Sequence, residues 1–142
     1  MAGDFDISGL LKLQKDLEKL QAAIPPTREA IIKDMAKRFL RLVIRDTPVG
    51  QYPKSSGKVG GTMRRGWTTT PMRTEGDRVE IDVINPVEYA PYVDYGHRTA
   101  NHKGWVPGRN ITQKAINLMQ KNGQKIVDQH VERMLREVFG GK

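Results

Sequence analysis

Leucine and isoleucine recur at alternating steps of three and four residues from Leu10 through Leu13, Leu17 and Leu20 to Ile24, with Ile7 just outside the run. That spacing predicts an amphipathic helix over 7–24, with Asp6 or Ser8 placed to cap its first amides. The seam is that of a coiled coil but lasts barely two heptads, which favours a helix lying on its own domain or on a neighbour. Pro25-Pro26 is expected to end it, because a residue before proline is pushed out of the helical region and proline has no amide donor. A second, wider apolar face follows in Ile32, Met35, Ala36, Phe39, Leu40, Val43 and Ile44. It predicts the main core helix over 27–46, capped by Thr27, with Lys33, Lys37, Arg38, Arg41 and Arg45 as its solvated side. Asp46-Thr47-Pro48 stops it.

Neither helical nor strand periodicity survives from Pro48 to Gly66, where five glycines, Pro53 and Ser55-Ser56 predict a flexible loop over 48–66. It carries Lys54, Lys58, Arg64 and Arg65 and no acid, a composition suited to ordering on a partner. Its GKVGG run lacks the frame of a phosphate-binding loop and is not expected to lead into a helix. A β-hairpin is predicted over 66–84. Trp67 to Thr70 is rich in β-formers, Pro71 confines that strand to an edge or end, and Val79, Ile81 and Val83 alternate with Glu80 and Asp82. Thr74-Glu75-Gly76-Asp77 supplies the turn. After a tyrosine-rich turn and loop at 85–110, Asn110 or Thr112 is placed to cap a long helix over 111–139. Ala115, Ile116, Met119, Ile126, Val127, Val131, Met134, Leu135 and Val138 form its stripe. Gly123 allows a bend or close packing there, and Gly140-Gly141 ends the helix. The expectation is one α+β domain over 1–142: a small antiparallel sheet, the hairpin plus a short third strand, packed by two long helices, with an additional N-terminal amphipathic helix.

Composition narrows the partners. The 142 residues suffice for a core that hides roughly 70% of the chain's surface. With no cysteine there is no disulfide and no thiolate metal site, and a cytoplasmic place of assembly fits. No apolar run is long enough to span a membrane, and the acidic opening MAGDFDISG lacks the hydrophobic core of a secretion signal. Twenty-four Lys plus Arg against sixteen Asp plus Glu give a net charge of +8, which permits contact with nucleic acid or an acidic surface without requiring it.

Candidate chemistry concentrates in Asn85 to Arg109, with three of the four tyrosines, two of the three histidines and one of the two tryptophans. His97 and His102 lie five apart in irregular sequence without cysteine, too little for a zinc site. No serine lies in the stretch and no nucleophile elbow is present. A small basic ribonuclease using His97, His102 and Arg98 is the enzymatic alternative, and a nucleic-acid-binding module stacking bases on the tyrosines is the other. The tyrosines read better as architecture. Tyr89, Tyr92 and Tyr95 recur every third residue, Pro91 is placed to open a one-turn helix and Gly96 to close it in a left-handed conformation. Ala90 and Val93 are expected beneath the hairpin, and Asp94 within reach of Arg98. Tyrosine pairs large apolar area with a polar tip, which suits an interface.

Three blocks together carry a family resemblance. NPVEYAPYVDYGHR at 85–98 resembles the signature of phage head–tail joining proteins typified by gene product ten of phage HK-ninety-seven, with Asn85, Tyr89-Ala90, Asp94, Tyr95 and Gly96 at the matching places. GGTMRRGW at 60–67 is similar to the family's segment before the first strand, and GWVPGRN at 104–110 to the segment entering the last helix. The chain departs from the pattern by an inserted basic loop between Thr47-Pro48-Val49-Gly50 and Gly61. The resemblance implies a structural, non-enzymatic neck protein of the virion, assembled in the bacterial host cytoplasm, without cofactor, metal or membrane. It implies a homo-oligomeric ring of six that meets neighbouring neck, connector or tail-terminator proteins, with possible contact to DNA in the channel. On this reading Tyr89, Tyr92, Tyr95, His97, Arg98, Trp105 and Arg109 face other subunits or partners. Lys54, Lys58, Arg64 and Arg65 form the flexible basic loop, and Asn85, Ala90, Asp94 and Gly96 fix the shape.

Overall fold

The computed structural model describes residues 7–140. Its first element, α1, is a single helix of 39 residues, Ser8–Asp46, with Pro25 and Pro26 inside it. The expected break at Pro25-Pro26 is absent. Two prolines remove two amide donors, which leaves the carbonyls of Gln21 and Ala22 without their usual helical partners. Gln21, Ala22, Pro25 and Pro26 are all exposed, so water can satisfy those carbonyls, and the helical path continues unbroken through the joint. The second long helix, α4 (Ile111–Phe139), lies antiparallel against α1. His130 faces Asp34, while Leu118 and Met119 lie beside Leu42, and Val131 and Met134 beside Ile31. α4 runs through Gly123 unbroken, and a Cβ there would meet only the Met35 methyl at 3.9 Å, an ordinary contact. Asp6, one of two expected caps of α1, and Gly141 lie outside the described residues; Gly140 follows α4 in a right-handed, not left-handed, conformation (φ −71°).

Between the long helices the chain makes small pieces. After a 3-10 turn at Lys54–Ser56, α2 (Thr62–Gly66) forms from the last residues of the expected loop. A helix therefore does follow GKVGG, although it is only five residues long. β1 (Thr68–Thr69) pairs antiparallel with β4 (Val83–Ile84), and β2 (Arg73–Glu75) with β3 (Arg78–Glu80). Three residues, 70–72, thus oppose two, 81–82, which is a β-bulge with Pro71 at its centre. The missing proline donor is accommodated where the ladder is already open. The Thr70 amide still donates to the Asp82 carbonyl (2.9 Å), and the Asp82 amide to the Thr70 hydroxyl (2.9 Å). Gly76 begins the two-residue turn of β2–β3 with φ +60°, the positive angle such hairpin turns need.

After α3 (Ala90–Tyr95), β5 (Gly96–Arg98) and β6 (Trp105–Pro107) pair only with each other. The fold is α+β as expected, but the anticipated third strand is half of a separate hairpin. The core sits where α1, α2, β4, α3 and the start of α4 meet, around Val43, Met63, Trp67, Ala90, Ile111 and Ala115, with Phe39, Leu40, Val83, Val87 and Val93 packed against it. Thr47 is fully buried inside this cluster. Its hydroxyl donates to the Val43 carbonyl (2.5 Å) and accepts from the Trp67 indole N–H (2.6 Å).

Candidate functional site

The stretch from Asn85 to Arg109 is braced from both ends. The Asn85 side-chain amide donates to the Met63 carbonyl (2.7 Å) and its oxygen accepts the Val87 amide (3.1 Å), which locks the exit from β4 onto α2. Pro91 lies in the first turn of α3, where its missing donor is harmless, and Ala90 is buried. Gly96 ends the helix at φ +94°, ψ 172°, a region closed to residues with a Cβ, rather than in the left-handed helical conformation. A Cβ at Gly108 would overlap the backbone of Asp94, Tyr95 and Gly96, so only glycine allows β6 to pass this close to α3.

Asp94 does not reach for Arg98. It is 4% exposed and turned inward, where its carboxylate accepts the Thr112 amide (3.1 Å) and the Thr112 hydroxyl (2.5 Å). The expected caps give way to it: Asn110 occupies the N-cap position with φ +53° and makes no side-chain cap bond, and Thr112 is a donor to the cap. The Val93 and Asp94 carbonyls accept the Arg109 and Asn110 amides (2.8 and 2.9 Å), completing the junction. Arg98 stands on β5 opposite Trp105.

On this frame the aromatic residues point outward. Steps of three residues turn a helix by about −60° each, so the three tyrosines fan out rather than stack. Tyr89 lines a cleft of about 290 Å³ with Val49, Tyr52, Val59 and Arg109, which places the 48–61 loop against the tyrosine segment. Tyr92 meets His97 edge-on, with ring centroids 6.2 Å apart. Tyr95 is 70% exposed and Trp105 60%. Strand alternation puts His97 and Val106 on one side of the β5–β6 hairpin and Arg98 and Trp105 on the other. The hairpin's loop is ordered by Thr99 and Asn101: the Gly104 amide donates to the Thr99 hydroxyl (3.0 Å) and the Lys103 amide to the Asn101 side-chain oxygen (3.0 Å). His102 sits in this loop at φ +57°. The His97 Nδ1 is 2.8 Å from the Arg98 carbonyl.

The basic loop divides into two kinds of cation. Arg64 is an internal clamp: its guanidinium donates to the Thr47 carbonyl (3.0 and 2.7 Å) and the Arg45 carbonyl (3.4 Å). Arg65 donates to the Gly60 carbonyl (3.1 Å). Both belong to α2 and to the fold rather than to a free loop. Lys58 lies over the Tyr52 ring (5.6 Å), and Lys54 is exposed. Thr47, read from sequence only as part of a helix stop, Trp67, read as a strand former, and Thr112, read as a cap, are the residues that tie these pieces together. Among the described residues no group of His, Asp and Glu gathers to hold a metal, and no helix is long and apolar enough to cross a membrane.

What this arrangement can do is present apolar rings on a rigid support. Tyr92, Tyr95 and Trp105 offer broad apolar area with polar edges, the chemistry of a protein contact. A family model described as "Bacteriophage HK97-gp10, putative tail-component" matches residues 12–96, more than half of the chain, from α1 to the first residue of β5. No curated protein and no solved structure matches it.

Proposed function

The chain belongs to the HK97 gp10-like family of bacteriophage tail components, and from that premise we propose that it is a structural protein of the neck, joining or completing the tail at the head–tail interface. It acts as a ring of six copies in the virion of a tailed phage or phage-tail-like particle, assembled in the bacterial host cytoplasm, without catalysis or cofactor. The rigidly held aromatic surface of Tyr92, Tyr95 and Trp105 supports this reading most directly. Large, exposed rings on a support fixed by buried hydrogen bonds are suited to subunit contacts, since little conformational freedom is lost on docking. Tyr89, His97, Arg98 and Arg109 complete the contact surface toward a neighbouring subunit, connector or tail terminator.

Contact with channel DNA is a lesser part of the role. With Arg64 and Arg65 committed to carbonyls of their own chain, the loop's remaining cations are exposed Lys54 and Lys58, the latter over the Tyr52 ring. The test is complementation of a particle lacking this protein with Tyr92→Ala and Trp105→Ala chains, counting joined particles by electron microscopy. The expected result is a large drop in joined particles with circular dichroism and unfolding unchanged. Normal joining by both variants would overturn the proposal.

A further inference from the structure

The seam of α1 is covered along only half its length. Because His130 faces Asp34 and the helices are antiparallel, Phe139, nine residues on, falls opposite residue 25. Residues 8–24 therefore extend past the end of α4 by about 25 Å at 1.5 Å per residue. The face is continuous: Ile24, Thr27 and Ile31 line an apolar groove with Val131 and Met134, and the same stripe runs back through Leu20, Leu17, Leu13 and Leu10. Leu20 is half-buried, and beyond it Leu17, Leu13 and Leu10 are 50%, 48% and 67% exposed. Ile24 and these four leucines present on the order of 500 Å² of apolar surface, the size of the largest patch on a monomer, which is often functional.

We propose that this overhang pairs with the overhang of a second copy of the chain, antiparallel and about a twofold axis. Three observations select that occupant. First, α4 already occupies the seam beyond residue 24, so a parallel partner helix would run into α4. The α1 of an antiparallel partner has its first helical residue, Ser8, there. Second, the ends are compatible, because the partial positive charge of the incoming N-terminus abuts the partial negative charge of α4's C-terminus. Third, the stripe is self-complementary. Its three–four spacing reads the same reversed, and pairing Leu10 with the partner's Leu20 and Leu13 with the partner's Leu17 gives four layers of a-to-d packing, counting the reciprocal pairs. In that register Ser8 of one chain stops opposite residue 22 of the other, short of α4. The area buried, about 1,000 Å² in total, is at the lower limit for a specific interface, so the pair forms reversibly with concentration.

This interface is separate from the aromatic surface and, being twofold, belongs to the free chain in solution rather than to neighbours in a cyclic ring. It is tested on the full chain, which has no cysteine of its own. Mass in solution is measured by light scattering for the native chain and for Leu17→Asp, with circular dichroism to verify that both are folded. Leu10→Cys and Leu20→Cys chains are then oxidised separately and mixed. The expected results are a twofold lower mass for Leu17→Asp and a disulfide-linked dimer from the mixture alone, since like positions lie about 15 Å apart in the antiparallel pair. Equal masses for the native and Leu17→Asp chains, or efficient cross-linking of Leu10→Cys with itself, would overturn the proposal.

Discussion

The Asp94 carboxylate holds the first turn of α4 from another helix, accepting both the amide (3.1 Å) and the hydroxyl (2.5 Å) of Thr112. This one side chain joins the end of α3 to the start of the longest packing surface of α1. Asp94→Ala leaves two donors without an acceptor in a nearly closed space. The expected cost is about 2–3 kcal/mol, the sum of a lost cap and a charge-assisted hydrogen bond. Asp94→Asn, which keeps one acceptor, should cost less. Urea midpoints for the two variants check the order, and equal midpoints would remove Asp94 from this role.

Thr47 is a second joint. Its hydroxyl, on a fully buried residue, links the Trp67 indole to the Val43 carbonyl. Thr47→Val is close in shape but leaves the indole N–H unpaired, and should destabilise by about 1–3 kcal/mol. Trp67 is one of two tryptophans, so its near-ultraviolet signal should change with the substitution. Thr47→Ser keeps the hydroxyl and should retain most of that signal.

These two joints show where sequence reasoning reaches and where it stops. Tyr89, Pro91 and Gly96 announce α3 because a one-turn helix is built from neighbours, and Gly76-Asp77 announces the hairpin for the same reason. Asp94 to Thr112 and Thr47 to Trp67 are side-chain bonds 18 and 20 residues apart, and no local pattern encodes them. Asp94 therefore reads as an i,i+4 partner of Arg98, the nearest charge, until the backbone turns it inward. Arg64 and Arg65 read as free loop cations for a related reason: their acceptors are backbone carbonyls, which every residue possesses and no sequence marks. The aromatic surface was legible in its residue types, but not the split between Tyr89 in the cleft and Tyr92 beside His97.

The division of cations near the loop is itself measurable. Arg64→Ala removes the clamp on the Thr47 and Arg45 carbonyls and should lower stability by about 1–3 kcal/mol, in the range for hydrogen bonds to a charged donor. Lys54→Ala and Lys58→Ala should each stay within about 0.5 kcal/mol of the native chain, as exposed substitutions do. Thermal unfolding of the three variants side by side decides it. Equal loss at all three positions would mean that the arginine is no more structural than the lysines.

Acid should loosen the contact between α1 and α4. The Arg38 guanidinium, hydrogen-bonded at 2.8 Å, and then His130, also at 2.8 Å, hold the Asp34 carboxyl below its ordinary value of 3.8. A depressed carboxylate pKa stabilises the fold fully above the unfolded value, and that contribution fades as pH falls through the folded one. Asp34→Asn should therefore be less stable than the native chain at neutral pH, and the gap should close below pH 3.8. Urea unfolding of both chains from neutral to acid pH measures the gap. A difference that persists unchanged into acid would show that the effect is packing and not charge.

The unbroken course of α1 through Pro25-Pro26 makes a prediction against local preference. Each proline disfavours helix in the residue before it and costs about 3 kcal/mol in a helix interior. The prolines stand where α4 ends, so the segment on one side, residues 27–46, is held by packing and the overhang at 8–24 is not. The joint is therefore where helical structure is weakest, and the overhang opens separately from the body. Replacing both prolines by alanine should restore donors to the Gln21 and Ala22 carbonyls and extend cooperative protection into the overhang. Amide hydrogen exchange should slow by more than tenfold across residues 10–24 and change little in α4, because a gain above 1.4 kcal/mol is a factor of ten in the opening equilibrium. If exchange in 10–24 is unaltered, the two segments are not one helix, and the register that lets the overhang continue the α1–α4 seam fails with it.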